Sequence, residues 1–114
     1  MTADRTRERL SLAVEHLQNT VEYARRGRAV FFNEKDPDTQ RLIEGELRKA
    51  FESLNRQGDT FFHAHPDLDR ARIGEVRQML THDYASVPLE VLWRMANEEA
   101  PQLLRRLARA KVPK

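Results

Sequence analysis

The segment TRERLSLAVEHLQNTVEYARR, residues 6–26, sets the pattern on which the fold of the whole chain depends. Its apolar residues recur at steps of four and three, which places them along one stripe of a helix. They are Leu10, Val14, Leu17, Val21 and Ala24. Gly27 follows directly and is suited to end the helix, because glycine tolerates the backbone conformation that a helix C-terminus often needs. We therefore predict a long amphipathic first helix.

A second stripe with the same period follows and consists of Ile43, Leu47, Ala50 and Leu54. The Asp36-Pro37-Asp38 segment before it offers cap residues and a proline suited to a first helical turn. Gly58 lies just past the expected end of this helix. A bridge containing Val30, Phe31 and Phe32 connects the two stripes. The sequence thus predicts two antiparallel helices.

Cap residues and prolines divide the next part of the chain into a short turn and a third long helix. Asp59 is predicted to cap the short turn, and Pro66 is predicted to end it. Asp67 or Asp69 is predicted to cap the third helix, which runs to about His82. The apolar residues of these two segments are Phe61, Phe62, Ile73, Val76 and Leu80.

A final helical pattern begins at Pro88, and Pro101 is predicted to break or kink it. Its apolar residues are Leu89, Leu92, Trp93 and Ala96, then Leu103, Leu104, Leu107 and Ala110. No segment alternates with period two over a useful length. The prediction is an all-α fold, a four- to five-helix up-and-down bundle that forms a single domain over residues 1–114. Phe51, Phe61, Phe62 and Trp93 are interpreted as core or dimer-interface residues, because helical apolar stripes usually serve packing.

Composition narrows the cellular setting and the class of protein. The chain has no cysteine, which excludes disulfides and thiolate metal sites and leaves the cytoplasm as the expected compartment. No apolar run approaches the roughly 20 residues that span a bilayer, so no membrane partner is expected. The hydrophobic fraction of 39% and the charged fraction of 33% suit helices with wide solvated faces.

The charge balance is only weakly informative about partners. The pI of 9.3 favours binding to nucleic acid, but the formal net charge of +2 is too small to predict it. Four of the 20 basic residues are lysine and the others are arginine, the better bidentate ligand for phosphate. A GC-rich genome would produce the same bias, and we give that explanation equal weight.

Neither a metal site nor a cofactor is expected. The four histidines include one close pair, His63 and His65, in a predicted loop, and two ligands without a third are not a zinc site. A polar surface turn is the favoured interpretation of that pair. Glycine-rich phosphate-binding loops are absent.

The segment RQMLTHDY, residues 77–84, places a permanent cation, an imidazole and a phenol at the end of one helix. Arg77 can hold a phosphate and stabilise charge on its oxygens, His82 can transfer protons near neutral pH, and Tyr84 can orient an RNA backbone or stack on a base. Five residues turn about 140° around a helix, so we expect His82 to lie where the helix unwinds. On spacing alone, a structural role for all three is the favoured alternative, with Arg77 covering the bundle, His82 at a helix C-terminus and Tyr84 packed.

The segment matches the R-x4-H-x-Y pattern of HepT-like HEPN ribonuclease toxins, with Arg77, His82 and Tyr84 at the three pattern positions. The chain resembles that family from about Arg9 to Ala110, and this wider resemblance favours the functional interpretation. Flanking segments that resemble the family are Ile73-Gly74-Glu75-Val76, Val91-Leu92-Trp93 and Ala100-Pro101-Gln102-Leu103, and more loosely Phe31-Phe32-Asn33 and Thr39-Gln40-Arg41. Gln78 departs from the Asn or Asp that is frequent there. Gln78 and Asp83 are therefore candidates only for supporting roles.

The resemblance implies a HEPN-like bundle that forms a homodimer and cleaves RNA, either mRNA or tRNA, without a metal ion. It implies Arg77 and His82 as catalytic residues in a composite cleft of the dimer, where the second copy supplies a second His. It also implies a minimal nucleotidyltransferase antitoxin that adenylylates Tyr84. The alternative function is a non-catalytic helical module that binds a nucleotidyltransferase or a nucleotide, and a plain structural dimer ranks third.

Overall fold

The protein is described here by a computed structural model, which covers residues 2–82 and 86–109. Its elements are α1 (Thr2–Ala24), α2 (Arg28–Phe31), α3 (Asp38–Asn55), α4 (Asp59–Ala64), α5 (Arg70–His82), α6 (Leu89–Arg94), a π-helical turn (Met95–Glu99) and α7 (Ala100–Arg109). The described residues form no strand, so the predicted all-α fold class is confirmed.

The helices α1 and α3 run antiparallel and contact each other along most of their lengths. At one end of the pair, Arg26 Nη1 donates a hydrogen bond to Thr39 Oγ1 over 3.1 Å. At the other end, Gln57 Nε2 donates to the Thr6 carbonyl over 3.0 Å. The predicted pair of antiparallel helices is therefore confirmed.

The helix α5 packs against α3 in the opposite direction, and α7 returns along α1. Gly74, near the start of α5, lies beside Asn55 at the end of α3, whereas Leu80 and Thr81 near the end of α5 face Glu44 in the first half of α3. Successive long helices thus alternate in direction, which confirms the up-and-down bundle.

The predicted stripes form the core. The largest fully buried apolar side chains are Phe31, Phe51, Leu17, Ile43, Leu47, Leu54, Ile73, Leu80, Met95 and Val76, and they come from every long segment of the bundle. Phe61 and Phe62 are buried, and Trp93 is half-buried against the rings of Phe31 and Phe32. The interpretation of the aromatic residues as packing residues is confirmed.

Several helix ends follow the predicted signals. Gly27 has a φ of 101°, a conformation that L-residues with side chains rarely adopt, and the chain turns there from α1 into α2. The Arg72 N–H donates to Asp69 Oδ1 over 3.0 Å, so Asp69 caps α5. Pro88 directly precedes α6, as predicted.

Other boundaries differ from the prediction. The first helix begins at Thr2, and the expected bridge after Gly27 contains the single turn α2. Gly58 is not a left-handed cap, because its φ of −86° and ψ of 178° are extended, and it precedes α4. His63 lies in α4 and not in a loop.

The predicted break at Pro101 does not occur. Proline lacks an N–H and its ring clashes with the carbonyl four residues back in a regular α-helix. The π-helical turn Met95–Glu99 precedes it, and the Ala100 N–H bonds to the Met95 carbonyl, five residues back. This wider turn lets the helix continue from Leu89 through Pro101 into α7.

Candidate active site

The helix α5 carries residues 77–82 of the motif and is fixed by its own buried stripe. Ile73, Val76 and Leu80 are buried, and they recur at steps of three and four along the face that packs into the bundle. Because Arg77 follows Val76 directly and precedes Leu80 by three residues, it lies on the edge of this buried face. Its side chain is half-buried.

Arg77 has no counter-charge among the residues that the structure describes. Within residues 2–82 and 86–109, no carboxylate forms an ion pair or hydrogen bond with its guanidinium. A half-buried guanidinium that is permanently charged retains its full capacity to bind an anion in a bidentate manner.

His82 is the last residue of α5 and is exposed. The predicted third long helix therefore extends to this residue, and because residues 83–85 lie outside the described residues its predicted end near His82 stays a prediction. Because both residues lie within the helix, the spacing of five separates Arg77 and His82 by about 140° around its axis. No hydrogen bond joins the two side chains in the described part of the chain, so one copy does not bring them together.

The other motif residues are less informative. Gln78 is exposed, and its side chain forms no hydrogen bond with any other described residue. Asp83 and Tyr84 lie outside the described residues, so their predicted roles stay predictions.

A pocket of about 280 Å³ adjoins the end of α5, and we call it the α3/α5 groove. It is lined by Glu44 and Arg48 from α3 and by Leu80 and Thr81 from α5. Thr81 lies four residues after Arg77, so the two occupy the same side of the helix. The groove therefore opens on the flank of α5 that carries Arg77.

A search against protein-family models matches residues 13–110 to the family described as Ribonuclease HepT-like. The chain belongs to the HepT-like ribonuclease family. Neither the curated proteins nor the solved structures gave a match. Membership supports a ribonuclease activity of the HEPN toxin type, with RNA as substrate, and it confirms the resemblance on which the sequence prediction rested.

On the opposite flank of α5, by contrast, Arg72 of this HepT-like chain is fully paired. Its Nη2 donates to Glu99 Oε1 over 2.5 Å, and its Nη1 donates to Glu75 Oε1 over 3.1 Å. The hydrogen bond to Glu99, followed by the weaker attraction of both carboxylates, raises the pKa of Arg72 above its ordinary value although partial burial opposes this. Arg72 thus joins α5 to the final helix and has no free charge to offer.

A second neutralised arginine lies near the N-terminus of α6. Arg28 hydrogen-bonds to both carboxylate oxygens of Glu90 and stacks on the Phe32 ring at 4.4 Å. The hydrogen bond from Arg28 lowers the pKa of the Glu90 carboxyl, and the charge of Arg94 adds a smaller effect. This pair joins α2 to α6.

The candidate metal ligands are not brought together. His63 is exposed in α4, while His65 packs on the Phe61 ring at 4.7 Å. No group of three histidine or acidic residues with the geometry for a metal ion occurs in the part of the chain that the structure describes. Over the same residues, no helix combines the length and apolar character needed to cross a bilayer.

Two polar pairs were missed by the sequence reasoning. Glu44 and Arg48 form an ion pair of 3.3 Å in the α3/α5 groove, and their spacing of four was a signal that could have been noticed. His16 Nδ1 lies 2.7 Å from Glu46 Oε2 between α1 and α3, which no local pattern predicts. The second pair lies on the far side of α3 from the groove.

Proposed function

We propose that the chain is a metal-independent endoribonuclease toxin whose catalytic residues are Arg77 and His82. The observation that carries the proposal is that one helix of a HepT-like chain carries an exposed His82 and a half-buried Arg77 that meets no carboxylate among the described residues. A bidentate cation can bind and neutralise the RNA phosphate, and a titratable imidazole can transfer the protons that phosphodiester cleavage involves.

The nucleophile is the 2′-OH of the substrate, so no metal-bound water is needed. A neutral His82 accepts the proton of the 2′-OH while the 2′ oxygen bonds to the adjacent phosphorus. The bond from phosphorus to the 5′ oxygen breaks, and that oxygen takes a proton from an imidazolium. The products are a 2′,3′-cyclic phosphate and a free 5′-OH. Arg77 stabilises the negative charge that develops on the phosphoryl oxygens.

The reaction uses a base and an acid, and the motif contains one histidine. We therefore propose a twofold dimer in which the helices α5 of both copies face one basic cleft. One His82 then acts as the base and the partner subunit's His82 acts as the acid. Light scattering at micromolar concentration tests this arrangement, and a monomeric chain that cleaves RNA would contradict it.

Regulation is proposed to act through Tyr84. A minimal nucleotidyltransferase antitoxin transfers the adenylyl group of ATP to the phenol oxygen, which loses its proton, and pyrophosphate leaves. The attached phosphate brings negative charge to the place where substrate phosphate binds, and like charges repel there. Mass spectrometry after incubation with the antitoxin, ATP and Mg²⁺ should find the group on Tyr84 and not on Tyr23 or a threonine. The Tyr84→Phe variant should escape modification.

The decisive experiment is cleavage of RNA by the purified chain in EDTA, with a DNA strand of the same sequence as the control. Wild type should cleave the RNA and leave the DNA intact, because DNA lacks the 2′-OH. His82→Ala should lower the rate by about two to four powers of ten, the usual cost of losing a general acid or base. A fold that is unchanged by circular dichroism excludes unfolding as the cause. A His82→Ala variant at the wild-type rate would refute the assignment.

A further inference from the structure

The α3/α5 groove contains a second arginine that the proposed mechanism does not use. Arg48 projects from α3 into the pocket whose other wall is formed by Leu80 and Thr81. Thr81 directly precedes His82 and shares a side of α5 with Arg77. The Arg48 guanidinium therefore lies in a groove on the Arg77 side of α5, although it comes from another helix.

The internal partner of Arg48 leaves it incompletely satisfied. Its Nε lies 3.3 Å from Glu44 Oε1, which is close enough for an ion pair. The same Nε is shielded from solvent and makes no hydrogen bond, so the orientation of the carboxylate is unfavourable. The pair with Glu44 therefore holds the guanidinium without a well-formed hydrogen bond, and the terminal N–H groups of Arg48 remain available to an anion.

The exposed fractions of the two side chains would allow a ligand to replace Glu44 as the partner of Arg48. The Arg48 side chain is 43% exposed, whereas that of Glu44 is 21% exposed. The guanidinium can therefore meet a ligand from solvent, while the carboxylate behind it has less access. Ion pairs of this exposure within one helix contribute little to folding, so their exchange for a ligand is inexpensive.

We infer that Arg48 binds an RNA phosphate next to the one that is cleaved, and that Glu44 is its counter-charge when RNA is absent. This inference rests on the proposed ribonuclease function. A phosphate offers a planar face of two oxygens to a guanidinium, and the two can form parallel hydrogen bonds. The phosphate of a flanking nucleotide fits the location, because Thr81, which lines the groove, shares a side of α5 with Arg77. Arg48 is thus a substrate-positioning residue and does not take part in the chemistry.

A control pair exists at the C-terminal end of α3, where Arg56 is the cap residue. Glu52 and Arg56 form another pair with the same order and spacing, also 3.3 Å apart, but they do not line the groove. If Glu44 and Arg48 only support α3, the variants Arg48→Gln and Arg56→Gln should behave alike. If Arg48 binds phosphate, only its own replacement should affect RNA.

Two measurements on the full chain test the inference. Cleavage kinetics should show that Arg48→Gln raises KM roughly tenfold and leaves kcat within about twofold, because a charged hydrogen bond to a distant phosphate contributes to binding. Binding of a fluorescent, uncleavable 2′-O-methyl RNA should be followed as salt is varied. The slope of log affinity against log salt should decrease in magnitude by about 0.7 for one lost phosphate contact on a single strand. Arg48→Lys should retain most of the slope.

Glu44→Gln should act in the opposite direction and tighten RNA binding by up to about fivefold, because it removes the competing carboxylate. Glu52→Gln should have no effect. If wild type cleaves RNA but Arg48→Gln matches Arg56→Gln in KM and salt slope, the inference is wrong while the proposed function stands. A wild-type chain that neither cleaves nor binds RNA overturns both.

Discussion

Arg72 and Arg77 lie five residues apart on α5 and differ in almost every property that matters for function. Arg72 donates hydrogen bonds to two carboxylates and joins α5 to the final helix. Arg77 is equally half-buried but meets no carboxylate within the described residues. A guanidinium whose charge is compensated internally contributes to the fold, whereas one without compensation is available to a ligand.

The two flanks of α5 repeat the same contrast. The pocket beside Arg72 is small, about 120 Å³, and its charged lining residues are Asp69, Glu99, Arg72 and Arg106. The α3/α5 groove on the Arg77 flank is larger and has a single acidic lining residue, Glu44. An anionic substrate is expected on the second flank, because Arg77 meets no carboxylate among the described residues whereas Arg72 is already paired with Glu99 and Glu75.

The strongest test of this contrast compares Arg77→Ala with Arg72→Ala in RNA cleavage. Loss of Arg77 should reduce kcat by about a hundredfold to a thousandfold, the usual effect of removing one group that stabilises transition-state charge. Loss of Arg72 should change kcat by less than about threefold, because its donors are already engaged. Equal losses in the two variants would show that the internal pairing does not distinguish catalytic from structural arginines.

The next prediction concerns His82 at the exposed end of α5, where two copies of this residue are proposed to share one cleft. Wild type mixed with about a tenfold excess of His82→Ala chain should lose roughly tenfold in activity per wild-type subunit, because most wild-type subunits are then paired with a His82→Ala copy in a dimer that holds one His82. Serum albumin at the same mass serves as the control. Activity per wild-type subunit that is independent of the excess would mean that each copy cleaves alone.

A smaller effect is expected on thermal stability, where Arg72→Ala should be the more damaging of the two variants. Arg72→Ala removes both bridges to Glu99 and Glu75. Because the Arg72 side chain is 40% exposed, solvent screening limits the loss to about 0.5–1 kcal/mol, or a few degrees in Tm. Arg77→Ala should lower Tm by less, since no carboxylate loses its partner. Thermal unfolding by circular dichroism measures both, and a larger loss for Arg77→Ala would contradict the comparison.

Periodicity predicted the long helices and the bundle because it is a local property of the chain. The stripes of α3 and α5 are buried as expected, and Arg77 and His82 occupy the positions that the motif indicated on α5. Which flank of α5 carries a free charge was not predictable, because it depends on Glu99, 27 residues away in sequence. The π-helical turn before Pro101 was likewise not predicted, because the local rule says only that proline does not fit within a regular α-helix.

The smallest effect concerns the other compensated arginine, Arg28, and its dependence on pH. The hydrogen bond from Arg28 lowers the pKa of Glu90 below its ordinary value of 4.5. A carboxyl whose pKa is lower in the folded state contributes stability above its ordinary pKa, and that contribution is lost as pH falls through the folded value. Tm of the wild type should therefore decrease more steeply than that of Glu90→Gln between about pH 5.5 and pH 3, and the two curves should converge in acid.

Glu90→Gln is the cleaner variant for this experiment, because Arg28 also stacks on Phe32 and its replacement would remove two contacts. The effect should be small, since both side chains of the pair are more than half exposed and salt screens them. Repeating the titration in high salt should reduce the separation of the curves at neutral pH. Glu98→Gln, which removes an exposed carboxylate 3.9 Å from Arg94, controls for the change of net charge. If the wild-type and Glu90→Gln curves are parallel across the whole range, the Arg28 pair does not stabilise the fold, and internal compensation alone does not make an arginine structural.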